Sequence, residues 1–322
     1  MIHGFINLNK PVGWTSHDCV ARTRKLLGTK KIGHGGTLDP LATGVLPLAV
    51  GRATRLLQYL PEGKAYRAVI RFGVITTTDD LEGNIAKQQD ATELEEAAVD
   101  AALSQFIGKI EQVPPMYSAI QVEGRRLYDL ARAGKAVEVP KRVVTIEHLV
   151  SQSWKPGVQP ELTVDIKCGA GTYIRSLARD LGEAVGTGAT LAGLTRTYSS
   201  GFKLTDSLTL ENLEKAIAQN TFAPVSAGKA MEHLAAITLP PDLARRWQLG
   251  QKLEITAGIP IPQPIGDHAN YPPVRILEAT TQTFLGIGEI RSLPFDPLPS
   301  DPLSVECATK ILVPKRVFLT AD

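Results

Sequence analysis

The strongest chemical signal in this 322-residue sequence is a carboxylate in a glycine-rich loop. In His34-Gly35-Gly36-Thr37-Leu38-Asp39-Pro40, which runs on to Gly44, the loop can hold Asp39 close to a ligand, where a carboxylate can serve as nucleophile or base. Spacing alone leaves another use open, because Asp before Pro also starts ordinary turns and helices. A second candidate is Gly171-Thr172-Tyr173-Ile174-Arg175, which follows an alternating stretch and opens a helical one, so that Tyr173 and Arg175 would project from a rigid platform. The same residues also read as a core Tyr and an exposed Arg. Pro114-Pro115-Met116-Tyr117-Ser118-Ala119, followed by Arg125, Arg126, Tyr128, Lys141 and Arg142, reads either as a basic, aromatic arm for RNA or as a solvated helix and loop. His34 has no second His or Cys at ligand spacing, which speaks against a metal there.

Other chemistries lose their usual sequence support. Gly33-His34-Gly35 stands where a phosphate loop needs Gly-Lys-Ser/Thr, and no G-x-G-x-x-G, H-E-x-x-H or G-x-S-x-G occurs. We therefore expect neither cofactor nor metal. Cys19, Cys168 and Cys307 are odd in number and lie far apart, which fits a reducing compartment rather than a disulfide framework. No secretory leader or membrane-length apolar run is visible, and the expected location is the cytoplasm. The net charge of +2 is unevenly spread. Residues 1–70 carry ten Lys and Arg against three acids, and residues 71–112 carry nine acids against three basic residues. A polyanion would meet the first region, with the second expected to face away from it.

These residues need elements to position them. Alternation predicts strands over 66–72 and 162–168, and a β-branched run between polar neighbours predicts one over 143–150. Helices are predicted after Ser16 over 17–27, after a Thr92/Glu95 capping box, over 174–185 and near Leu210 to Gln219. Strands and helices without strict βαβ alternation indicate an α+β domain with a mixed or antiparallel sheet and packed helices. An Ala-rich stretch at 220–238 without clear strand period suggests a boundary, giving domains of 1–235 and 236–322. Beyond it, prolines separate short β-like runs at 252–256, 274–278, 283–290 and 310–313, as in a small C-terminal β-barrel.

In six ordered blocks over residues 3–202 the chain resembles the TruB family of bacterial tRNA pseudouridine-55 synthases, relatives of the eukaryotic dyskerin proteins. The blocks are Asn9-Lys10-Pro11 to Ser16, Gly33 to Gly44, Gly51 to Thr54, Lys64 to Arg67, Pro114 to Ala119 and Gly171 to Arg175. Val274-Arg275, Phe284 to Glu289 and Pro314 to Val317 are similar, more weakly, to the PUA barrel that ends many of these enzymes. Gln121, Gly35 and Arg55 depart from commoner Lys, Thr and Lys, and none of the three is a catalytic group.

The resemblance implies isomerisation of a T-loop uridine in tRNA, with no cofactor or metal, by cleavage of the C–N glycosidic bond, rotation of the base and rejoining through carbon. Asp39 would be the catalytic carboxylate, attacking C1′ or C6 or abstracting a proton toward a glycal. Tyr66 would stack on the base and is a candidate for the final deprotonation. Tyr173 and Leu194 would line the pocket, and His34 would contact the displaced nucleotide or fill its place. A carboxylate kept ionised away from water needs a compensating charge, for which Arg175 is the expected partner. Lys10 and Pro11 look structural, while Arg125 and Arg126 would meet phosphates. A monomer with no obligatory protein partner and no membrane contact is expected. Two rivals remain at this level: a glycosylase that releases uracil, and a non-catalytic RNA-binding or folding module in which Asp39 is only a turn residue.

Overall fold

Alternation of apolar and polar side chains organises residues 64–72 and 161–168, whereas residues 4–10 and 43–50 are buried almost throughout. The computed structural model of the chain describes residues 2–117, 121, 122, 125, 126, 139–255, 259–263, 271–292 and 310–318. Its strands are β1 (Gly4–Lys10), β2 (Ile32–His34), β3 (Thr43–Val50), β4 (Lys64–Phe72), β5 (Val74–Thr76), β6 (Ile85–Gln88), β7 (Gly108–Gln112), β8 (Gln121–Val122), β9 (Arg125–Arg126), β10 (Arg142–Lys155), β11 (Glu161–Cys168), β12 (Ala189–Ser199), β13 (Phe202–Lys203), β14 (Ala236–Leu239), β15 (Leu253–Glu254), β16 (Val274–Glu278), β17 (Phe284–Ser292) and β18 (Lys310–Val317). The helices are α1 (Ser16–Leu27), α2 (Glu96–Leu103), α3 (Ile174–Ala184), α4 (Leu210–Ala218), α5 (Ala227–Ala230) and α6 (Pro241–Gln248), and a 3-10 helix covers Gly51–Tyr59.

The large sheet runs β1-β3-β12-β4-β11-β10-β7, with β2 on β3 and β13 on β12. It is mixed, as expected: β12 runs parallel to β3, placing Thr195 beside Thr43 and Arg196 beside Gly44, and antiparallel to β4. On one face of β4 and β11, Tyr66, Ala68, Ile70, Phe72, Leu162, Val164, Ile166 and Cys168 enter the core. There they join Cys19 and Val20 of α1 and Ile174, Leu177, Ala178 and Leu181 of α3. Each such large apolar side chain contributes roughly 1.5–3 kcal/mol on burial. The other face carries cross-strand ion pairs, Arg67–Asp165 at 2.8 Å and Arg71–Glu161 at 2.7 Å, which account for the polar half of the alternation.

Two helix starts differ from the sequence-based expectation. Thr15, not Ser16, caps α1 and forms a capping box with Asp18, because the Ser16 hydroxyl is engaged elsewhere. The Thr92/Glu95 box does not form: Asp90 Oδ1 accepts both the N–H and the hydroxyl of Thr92, and α2 begins only at Glu96. The strand expected at 143–150 runs on to Lys155 through two register shifts against β11.

The C-terminal strands form a second sheet in the order β14-β16-β17-β18-β15. β14 lies in the stretch expected to lack strand character and pairs in parallel with β16. Among the described residues this sheet is an open five-strand order rather than a closed barrel. Trp247 of α6 fills its centre, fully buried, with Nε1 donating to the Leu285 carbonyl at 3.0 Å. One apolar cluster joins the two sheets, with Phe5, Val45 and Leu56 packed with Phe284, Ile287 and Phe318. No helix among the described residues is long and apolar enough to cross a membrane.

Candidate active site

Asp39 lies between β2 and β3 in a segment whose backbone is held from several sides. The Ser16 hydroxyl donates to the Leu38 carbonyl at 3.2 Å and accepts the Leu38 N–H at 2.8 Å. Lys10, fully buried at the end of β1, donates from Nζ to the carbonyls of Pro11, Trp14 and Pro40 at 2.9, 2.6 and 3.3 Å. Arg196 of β12, also fully buried, donates from Nε to Val45 and from Nη1 and Nη2 to the carbonyls of Thr37 and Gly36, at 2.7, 3.3 and 3.1 Å. Buried cations need hydrogen-bond acceptors, and here backbone carbonyls on both sides of Asp39 supply them. The close pairing of β3 with β12 depends on Gly44: a Cβ there would stand 2.3 Å from the Arg196 carbonyl oxygen, and its φ of +100° suits only glycine.

Arg175 reaches Asp39 from the first turn of α3, with Nη2 2.9 Å from Asp39 Oδ2. Its Nη1 lies 3.4 Å from Asp80 Oδ2, so one guanidinium sits between two carboxylates. The three groups differ in exposure: the side chains of Arg175 and Asp80 are 7% and 3% accessible, whereas that of Asp39 is 39% accessible. Asp80 Oδ1 is further occupied by the Thr78 hydroxyl and the Glu82 N–H. Arg175 also donates to the carbonyls of Thr78 and Tyr117 at 3.2 and 3.1 Å. Asp80 is thus enclosed by the protein, and Asp39 is the carboxylate with room for a ligand. Burial raises the Asp39 pKa above its usual value and Asp80 adds to the rise, while Arg175 and Lys10 oppose it.

A cleft of about 560 Å³ opens over Asp39, lined also by His17, Lys64, Tyr66, Tyr117, Tyr173, Arg175 and Leu194. The register of β12 on β4 sets Arg196 opposite Tyr66 and Leu194 opposite Ala68. Tyr66 is 6% accessible; burial pushes its phenol up to about 12, with the nearby Arg196 guanidinium opposing. Tyr173 stands at the N-cap of α3, where buried Gln112 accepts its N–H at 2.8 Å and donates to its carbonyl at 3.0 Å. Lys64 faces the same space with its pKa lowered by burial and by Arg196. Of the residues singled out in the sequence, Asp39, Tyr66, Tyr173, Arg175 and Leu194 therefore share one cleft. His34 stands next to it: its ring meets that of His17 edge-on at 5.4 Å, and His17 is the histidine that lines the cleft. Arg125 and Arg126 form β9, but their side chains lie outside the described residues.

The chain matches the TruB family pseudouridylate synthase N-terminal domain over residues 24–174 and the tRNA pseudouridylate synthase B C-terminal domain over 175–243. A further match, to the C-terminal region of pseudouridine synthase II TruB, covers 235–292. It is 53% identical over 317 residues to a protein of Trichormus variabilis named tRNA pseudouridine synthase B, covering 98% of this chain and 99% of that one. The chain belongs to the TruB family. A Nostoc sp. protein with the same name is 56% identical over 291 residues, which is 90% of this chain and 96% of its own length. Among solved structures, a Cbf5-Nop10-Gar1 complex contains a chain 29% identical to this TruB-family chain, with a TM-score of 0.66, covering 89% of this chain and 78% of that one. A structure of an H/ACA RNP bound to a substrate RNA containing 2'-deoxyuridine matches at 27% identity and a TM-score of 0.65, covering 89% and 77%.

Several residues of this TruB-family site escape motif reading. Asp80 belongs to the acidic segment expected to face away from a polyanion, yet its carboxylate reaches the centre of the site through Arg175. Arg196 and Gln112 act on backbone atoms of residues far away in sequence, and no local pattern marks such contacts. His17 had one available signal, its position directly after the Thr15-Ser16 block.

Proposed function

We propose that this chain converts the T-loop uridine at position 55 of tRNA to pseudouridine, with Asp39 as the catalytic carboxylate. The observation that carries this reading is Asp39 itself, partly open to a cleft, paired with buried Arg175 and flanked by Tyr66. The names of its relatives supply the substrate class. The C1′–N1 bond breaks, C1′–C5 forms, the proton on C5 leaves and N1 gains one, so composition and oxidation state are unchanged. Attack on C1′, attack on C6 and abstraction toward a glycal all require an ionised carboxylate, which Arg175 favours. The uridine leaves its stack at a cost of a few kcal/mol, offset in part by stacking on Tyr66 worth about 1–3 kcal/mol. Tyr173 and Leu194 flank the base, His17 and His34 meet the nucleotide at the rim, and Arg125 and Arg126 meet phosphates. Residues 1–235 act as the catalytic domain and 236–322 as a PUA-like module that extends the RNA contact. The protein works as a cytoplasmic monomer, without cofactor, metal or obligatory protein partner.

The test is pseudouridine formation in an unmodified tRNA transcript with chelator present, read by nucleoside chromatography for wild type and Asp39→Asn. Arg175 keeps Asp80 as its partner in the variant, so fold and RNA binding are expected to persist while product disappears. Tight binding without product from the wild type would leave a binding module, and free uracil would indicate a glycosylase.

A further inference from the structure

A second cleft, about 500 Å³ in volume, opens where the large sheet meets the C-terminal one. Lys31 enters it from the loop before β2, Arg55 from the 3-10 helix and Arg316 from β18. The Gly51 N–H donates to the Lys31 carbonyl at 2.7 Å, fixing the first two of these segments together. Among the described residues no Asp or Glu lines this cleft, and there Lys31, Arg55 and Arg316 make no ion pair; Arg52 also lines it and is engaged elsewhere. Three such cations with no counter-charge among the described lining residues repel one another, an arrangement that suits an external anion.

Position indicates which anion. β2 starts directly after Lys31 and ends at His34, whose ring touches His17 in the catalytic cleft. At about 3.3 Å per residue, Lys31 and His34 are roughly 10 Å apart along the backbone. β3 runs from Thr43, close after Asp39, to Val50, next to Gly51 of the basic cleft, a span of roughly 25 Å, so an RNA with a base over Asp39 meets the basic cleft with backbone that extends about that far from the base. We propose that Lys31, Arg55 and Arg316 form a phosphate-binding site that grips the backbone of the RNA whose uridine occupies the catalytic cleft. The site rests on the tRNA reading above and assigns the C-terminal sheet a defined contact, through Arg316. Arginine suits this role because its planar fork donates two parallel hydrogen bonds to a phosphate.

The experiment measures dissociation constants for unmodified tRNA transcript from about 50 to 200 mM salt, using wild type, Arg55→Gln/Arg316→Gln and a control of equal charge change, Lys87→Gln/Lys109→Gln. Lys87 and Lys109 are exposed on the acidic segment, away from both clefts. Each lost phosphate contact should reduce the slope of log K against log salt by about 0.7–0.9. The cleft variant is expected to bind about ten-fold more weakly with a slope reduced by nearly two, and the control to match wild type. Each single substitution should account for about half of the slope change, which covers the case of a poorly folded double variant. Wild-type affinity and slope in the cleft variant, or an equal loss in the control, would overturn the site. Pseudouridine formation by the wild type is scored separately, so failure of the isomerase reading is distinguishable from failure of the cleft.

Discussion

At the residue scale, the site centres on one guanidinium between two carboxylates of unequal exposure. Arg175→Gln strands Asp80, which is 3% accessible, and breaking a buried pair from one side costs about 3–5 kcal/mol. Urea denaturation should show that loss, and adding Asp80→Asn should recover a large part of it; a cost below about 1 kcal/mol for Arg175→Gln would contradict the arrangement. The same environment sets the pH dependence. Burial raises the Asp39 pKa, and in the proposed role only the ionised form reacts, so the single-turnover rate should fall on the acid side around a midpoint above the ordinary Asp value. Tyr66, pushed up to about 12, stays protonated through neutral pH, and no break assignable to it should appear below about pH 10. An ordinary-Asp acid midpoint in the measured rate profile would contradict the burial argument.

At the element scale, the geometry of the candidate site depends on β12 lying between β3 and β4. This strand carries Leu194 to the cleft, brings Arg196 to Tyr66 and lets Arg196 hold the carbonyls before Asp39. Gly44→Ala sets a Cβ against the Arg196 carbonyl oxygen at a backbone angle that suits glycine alone. The parallel contact must open, at a cost of at least about 2 kcal/mol. Denaturant titration should show that loss together with a reduced single-turnover rate, whereas a stable, fully active Gly44→Ala protein would show that the contact does not position the loop.

At the scale of the whole molecule, the shared apolar cluster makes the two sheets one mechanical unit. Phe284, 7% accessible, packs on Phe318 with ring centroids 5.5 Å apart and lies in the same cluster as Phe5 and Leu56 of the large sheet. Truncating a buried Phe costs roughly 3–5 kcal/mol. Calorimetry of Phe284→Ala should therefore show a single transition displaced to lower temperature. Two separated transitions, with that of the large sheet unmoved, would show that the sheets unfold independently.

Much of the local structure is written in short-range periodicity. Alternation marks β4 and β11 and helical spacing marks α3, because each pattern reports which side of a single element avoids water, while a β-branched run marks β10 and proline-separated β-like runs mark most strands of the second sheet. The motif blocks likewise carried Asp39, Tyr66, Tyr173 and Arg175 as candidates before any of them could be placed. Which of them meet, and what holds them, depends on contacts between residues about a hundred or more positions apart. Arg196 binds carbonyls 159 and 160 positions away, and Arg175 binds the Thr78 carbonyl 97 positions away, beside Asp80. Those pairings follow from strand order and from the burial that a particular sheet achieves as a whole, which is a sum over distant elements and leaves no trace in any one segment. Local sequence thus determined some of the elements and most of the chemically able residues, while strands such as β1, β3 and β12, and the enclosure of Asp80 beside an Asp39 that faces the cleft, were decided by the tertiary fold.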